Sequence, residues 1–308
     1  MSPRACRAPP HLNASLKDPV RLSKTFSCSV IALGLAVFAS AASAGIPASW
    51  TRPVEPFRVV GDVYYVGTEG LAAYLITSPS GHVLLDSTLA QNVPQVERNI
   101  EKLGFRLRDV KLLIENHAHY DHVGGLAQLK ADTGAPLWAS AGDRWALENG
   151  RQFGDTDYGL ITFPAVKVDR VVKDGETVRA GGVELTAWVT AGHTRGSTTW
   201  SLPVEEAGRR LKVVFLCSVA VAGNKLAGNK AYPGIVADYR RTFVRLKTMK
   251  ADVVLTGHPE AADVLAREAR RRAGDAQAFV DPGELPRLVT AADAAFETEL
   301  AKETAAPR

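Results

Sequence analysis

Residues 116–125 read NHAHYDHVGG, and His117, His119, Asp121 and His122 put three imidazoles and a carboxylate into six consecutive positions. The whole chain has 7 histidines, so the clustering is a feature of the segment and not of the composition. His117 and His119 are two residues apart, and at the end of an extended strand both rings project to the same side. Asp121 and His122 fall where the chain turns into a helix, and Gly124-Gly125 lets the backbone approach closely there. Such donors are costly to bury unpaired and stable around divalent cations. A single closed structural zinc site would use the same donors, but so short a span strains all of them onto one ion. Two ions sharing the loop is the easier geometry, and each then needs a further ligand.

Those ligands have to come from elsewhere, and His193 in AGHTRGS and His258 in TGHPE are the candidates. Each follows a short apolar strand and sits beside glycine, as the first cluster does. His82, in the turn SGHVLL, reads as filler.

The elements that must position these groups are legible as periodicities. Strand-like runs occur at 57–67, 72–77 and 82–87, then a helical face over 92–104 closed by Gly104. VKLLIE (110–115) is a compact buried strand leading directly into the histidines; 123–134 reads as helix and 136–140 as strand. The second half has strands at 183–190, 197–202, 212–217 and 253–257, a helix at 235–250, and two helices around 259–273 and 284–303. Two strand-then-helix halves with no linker predict one α/β domain of packed sheets with outer helices.

At 308 residues, 46% apolar and 23% charged, the chain is ordinary globular material with enough length for a proper core. Residues 21–44 carry two cations, an apolar run through Phe38 and the small residues Ala42-Ser43-Ala44. This is the pattern of a signal peptide cut after Ala44, which predicts a mature domain over 45–308 in the periplasm. A membrane anchor is the alternative, but the run is short and rich in Ala and Ser, so no stable insertion is expected after cleavage. Residues 1–20 are either an extended start of the signal or lie upstream of a true start near Val20. Removing 1–44 takes Arg4, Arg7, Lys17, Arg21 and Lys24 but only Asp18, so 37 cations and 33 anions become 32 and 32. The formal charge of +4 therefore belongs to the export signal, and no basic patch argues for a nucleic-acid partner. Cys6 and Cys28 leave with it, and Cys217 alone allows no internal disulfide.

The pattern H-x-H-x-D-H, then G-H-T-x-G-S, then G-H-P, with Asp86 in LLDS, resembles the metallo-beta-lactamase superfamily. The resemblance implies an αββα sandwich of two mixed sheets with outer helices and the metal site at one edge. Thioesterases and lactonases of that superfamily place a metal-bridging aspartate where this chain has Ser218, in KVVFLCSVAVAGN. The departure is similar to the third subclass of class B β-lactamases, as are the segments 50–76 and 222–243. The resemblance implies two Zn2+ per chain, the first on His117, His119 and His193 and the second on Asp121, His122 and His258. It further implies a hydroxide held between the zincs as nucleophile, with Asp121 orienting it and relaying a proton, and Asp86 supporting the ligands from behind.

The expected reaction is opening of the β-lactam ring of penicillins, cephalosporins and carbapenems, and so antibiotic resistance, by a monomer acting on a small molecule. Another hydrolase of the fold (lactonase or thioesterase) is the alternative, and a zinc-storing protein a third reading. Ser218, Asn224 and Arg195 are candidate substrate contacts: Ser218 for substrate or water, Asn224 for developing oxyanion charge or else as a turn former, Arg195 for the substrate carboxylate or else solvated. Cys217 reads as a buried structural thiol. Phe153, Tyr158 and Phe163 are expected on a segment over the site, gripping substrate or fastening the loop, with Trp50 covering it from the other side.

Overall fold

The computed structural model describes residues 45–157 and 159–305. The expected signal segment, with Cys6 and Cys28, and Tyr158 lie outside the described residues.

Seven strands make the first sheet: β1 (Phe57–Val60), β2 (Val63–Tyr65), β3 (Tyr74–Ser78), β4 (Gly81–Leu85), β5 (Val110–Ile114), β6 (Leu137–Ser140) and β7 (Arg170–Val172), in that spatial order. The pairs from β1 to β4 are antiparallel and those from β4 to β7 parallel. The second sheet holds β8 (Thr177–Ala180), β9 (Val183–Val189), β10 (Thr198–Glu206), β11 (Arg209–Leu216) and β12 (Val253–Thr256), antiparallel except where β11 meets β12. The helices are α1 (Val93–Lys102), α2 (Tyr120–Val123), α3 (Leu126–Thr133), α4 (Ala141–Asn149), α5 (Ile235–Thr248), α6 (Val264–Arg272) and α7 (Glu284–Ala305).

Period-two side chains on strands apolar on both faces explain the layering. Along β4 and β5, Val83, Leu85, Leu112 and Ile114 face Leu185, Trp200, Phe215 and Val253 of the second sheet. The intervening Leu84 and Leu113 face Val96, Ile100, Leu126 and Leu129 from α1 and α3. In the second sheet Val213 and Phe215 enter the inter-sheet core, whereas Val214 and Val254 pack on Tyr239, Phe243 and Phe296 from α5 and α7. The result is the expected αββα sandwich. One strand-like run divides: 57–67 is a hairpin, because Gly61 takes φ +50° and turns the chain. No helix among the described residues is long and apolar enough to cross a membrane.

The layout brings strand ends together. β4 and β5 are adjacent and parallel, as are β11 and β12, and β9 runs the same way as β11. The segments that follow β4, β5, β9, β11 and β12 carry Asp86, the histidine cluster, His193, Ser218 and His258 respectively.

Candidate metal centre

The six predicted donors meet at this edge as two groups. Ligand atoms of His117, His119 and His193, and separately those of Asp121, His122 and His258, lie within 4.8 Å of one another. The rings of His117 and His122, one from each group, are 4.2 Å apart. Within the first group, Nε2 of His117 and Nε2 of His193 are 3.1 Å apart. Within the second, Nε2 of His122 lies 3.3 Å from Nε2 of His258 and 3.4 Å from Asp121 Oδ2, which is 3.2 Å from His258 Nε2. Ligands bound at 2.0–2.1 Å around a tetrahedral cation are about 3.4 Å apart. The separations therefore fit cations, and the far sides of the rings agree. His193 Nδ1 donates to Ala220 O at 2.7 Å and His122 Nδ1 to Asp86 Oδ2 at 3.3 Å, which leaves both Nε2 atoms facing inward.

The electrostatics divide the groups. Burial, and then the neighbouring imidazoles, hold His117 and His119 well below the usual histidine range. Burial also takes His193 down to about 4, against the Ala220 carbonyl that raises it. In the second group burial works against His122, but the Asp121 and Asp86 carboxylates outweigh it and hold the imidazole up at about 10. Burial likewise raises Asp121, and His122 and His258 outweigh it, leaving that carboxyl well below its ordinary value. The first group is thus a neutral nitrogen set, and the second carries the one negative ligand.

Local structure holds these side chains. Asp86 is fully buried at φ +61°, a left-handed conformation that an aspartate tolerates better than most residues. Its carboxylate accepts from Asn116 N at 2.8 Å as well as from His122. Gly257 backs His122 so closely that a Cβ there would lie 2.5 Å from His122 Cε1 and 2.8 Å from Nδ1. Gly257→Ala is therefore expected to displace the imidazole and weaken the second group's metal affinity at least tenfold, with the first group unaffected. Titration of the variant with Zn2+ checks this, and two unchanged binding events would contradict it.

The candidate substrate contacts fare differently. Ser218 Oγ is 3.4 Å from His193 Nδ1 and lines a cavity of about 1020 Å³ that also touches His258, Asp157 and the α7 residues Leu288 and Phe296. Asn224 Nδ2 donates to His193 O at 3.1 Å and to Val221 O at 2.9 Å, so in this structure both N–H groups meet backbone and brace the His193 loop, which is the turn-forming alternative. Arg195 is exposed and stacks over Phe153 at 4.6 Å and Tyr232 at 5.3 Å.

Phe163 is buried in the core and fastens its loop, whereas Phe153 also meets Trp145 at 5.3 Å. Trp50 packs 5.4 Å from His258. Cys217 is fully buried, its thiol donates to Asn116 O at 3.2 Å, and burial pushes it well above the usual thiol range. His82 is buried against Phe105 and takes no part in the centre. Sequence reasoning passed over Asp143, a buried carboxylate at the start of α4 that accepts from Ala118 N, between His117 and His119. Burial pushes it up to about 6 despite three hydrogen bonds that lower it.

Residues 66–258 match the family described as the metallo-beta-lactamase superfamily. The chain belongs to that superfamily. Among solved structures it is similar to BJP-1, a subclass B3 metallo-beta-lactamase of Bradyrhizobium japonicum, at 43% identity and TM-score 0.80, covering 84% of this chain and 98% of that one. It is likewise similar to the FEZ-1 metallo-beta-lactamase of Legionella gormanii, at 35% identity and TM-score 0.78, covering 83% and 99%. A curated relative, the hydroxyacylglutathione hydrolase of Methylobacterium nodulans, is 32% identical over 114 residues, 36% of each chain. The match thus spans about a third of that relative's length. Metallo-beta-lactamase folds are metal-dependent, and this chain carries two histidine-rich candidate metal sites.

Proposed function

We propose that the protein is an exported, periplasmic dizinc β-lactamase, a monomer that opens the rings of penicillins, cephalosporins and carbapenems and so confers resistance. The observation that carries this reading is Ser218. By the sequence resemblance it replaces the aspartate that bridges two cations in the thioesterase branch, while both three-donor groups are present without it. The likeness to B3 enzymes over nearly their whole length supports it.

His117, His119 and His193 would hold the first zinc, and Asp121, His122 and His258 the second. Bound there, the cations supply Lewis acidity toward the lactam carbonyl and bring the ionisation of water near neutral pH. The chain's own groups do the rest. Asp121, buried and ionised, accepts and passes on a proton at its carboxylate. Ser218 Oγ–H and the Arg195 guanidinium, which makes no salt bridge among the described residues, receive the substrate carboxylate. Trp50 packs against the His258 ring. Serine-based acyl transfer plays no part, since no hydroxyl in the centre is paired with a base and an orienting carboxylate.

The test is to present zinc-loaded protein with a chromogenic cephalosporin, a carbapenem, a lactone and a glutathione thioester side by side. Ring opening of the β-lactams at kcat/KM of about 10⁴ M⁻¹s⁻¹ or more is expected. Intact β-lactams with rapid thioester cleavage would instead favour the hydroxyacylglutathione hydrolase reading, to which the curated relative's name points.

A further inference from the structure

Every ligand of the first group has, as its immediate chain neighbour, a residue bonded to the same carboxylate. Asp143 Oδ2 accepts from Ala118 N at 2.9 Å, and Ala118 separates His117 from His119. The same oxygen accepts from Thr194 Oγ1 at 2.8 Å, and Thr194 follows His193. Oδ1 accepts from Gly196 N at 3.0 Å. The contact is close: a Cβ on Gly196 would lie 2.6 Å from Asp143 Cγ. Asp143 is only 2% exposed, so these bonds act in a low dielectric and water does not compete for them.

Asp86 makes the matching arrangement on the other side of His117. It accepts from Asn116 N at 2.8 Å and from His122 of the second group, so the two amides flanking His117 are each gripped by a buried carboxylate.

We propose that Asp143 is the positioning residue of the three-histidine site, tying the loop after β5 to the loop after β9, as Asp86 positions the second site. The inference rests on the two-cation reading above. Removal of Asp143 frees His193 from the His117–His119 pair and so lowers affinity at the first site alone, by the 10- to 100-fold typical of groups that orient metal ligands.

The test isolates each site. His258→Ala leaves the three-histidine group as the strong site, and His193→Ala leaves the Asp121 group. Zn2+ is titrated into each background with and without Asp143→Asn, with circular dichroism of the metal-free proteins as the check on folding. Asp143→Asn is expected to weaken binding 10- to 100-fold in the His258→Ala background and less than threefold in the His193→Ala background. Thr194→Val, which removes the bond to Asp143 together with the one to Ser197 Oγ and keeps the carboxylate, is expected to shift the first site alone by a few fold, and answers the question should Asp143→Asn fail to fold. Equal weakening of both sites, or of neither, overturns the proposal. Fewer than two zinc ions on the unmutated protein would instead defeat the two-cation reading on which it stands.

Discussion

Stripping the protein with a strong chelator is expected to lower turnover of a chromogenic cephalosporin at least 10³-fold, and added Zn2+ to restore it. The centre offers no other nucleophile: its imidazoles point at one another, the Cys217 thiol is buried and neutral, and Ser218 lacks a base–carboxylate pair. Losing both the Lewis acid and the ionised water removes about 4 kcal/mol or more of transition-state stabilisation, which is that thousandfold factor. Folding stability should follow. Cations that bind the native state alone contribute about 4 kcal/mol at a thousandfold excess over Kd. For a chain of this size that corresponds to a fall in Tm of roughly 8–16 °C on chelation. Full activity in protein shown by mass spectrometry to hold no metal would refute the assignment.

The candidate donor groups were legible in the sequence because metal sites at strand ends leave a mark that two independent regularities share. Short apolar runs fix where strands stop, and donor residues appear immediately after the stops. His193 and His258 could be linked to the first cluster on that basis, although 76 and 136 residues separate the juxtaposed pairs His117–His193 and His122–His258. The layering was legible too, from two strand-then-helix halves with no linker between them.

What stayed hidden were contacts between side chains and the backbone of a different loop, which have no period and no preferred spacing. Ser140-Ala-Gly-Asp143 has the spacing of a helix capping box. In the structure neither residue caps α4: Ser140 Oγ donates to Gly196 O at 2.7 Å, and Asp143 turns to the metal loops. Asn224 illustrates the same limit. An asparagine before a lysine in a loop reads equally as a turn former or as a free donor, and only the positions of the His193 and Val221 carbonyls decide. Arg195 could not be assigned without knowing that Phe153 and Tyr232, from 42 residues before it and 37 after, would form the faces it stacks on.

Asp121→Asn is expected to cost about 10³-fold in kcat, with KM changed far less, and to weaken the second zinc. Asp121 is the one anionic ligand among the six donors, and its Oδ2 sits 3.4 Å from His122 Nε2 and 3.2 Å from His258 Nε2. An amide keeps the shape but removes the negative charge, so the second site becomes a set of neutral donors competing with water. It also removes the acceptor to which the proposed reaction delivers a proton, a loss felt in the transition state and not in binding, which places the effect in kcat. The first site, neutral already, has no reason to change, so the variant should bind one zinc with wild-type affinity and a second weakly. Raising the Zn2+ concentration until both sites fill separates the two roles. If Asp121 served only as a ligand, activity would return with occupancy; if it also carries the proton, a deficit of about 10²-fold persists at saturation. Wild-type kcat in a variant holding two zinc ions would remove Asp121 from the chemistry altogether.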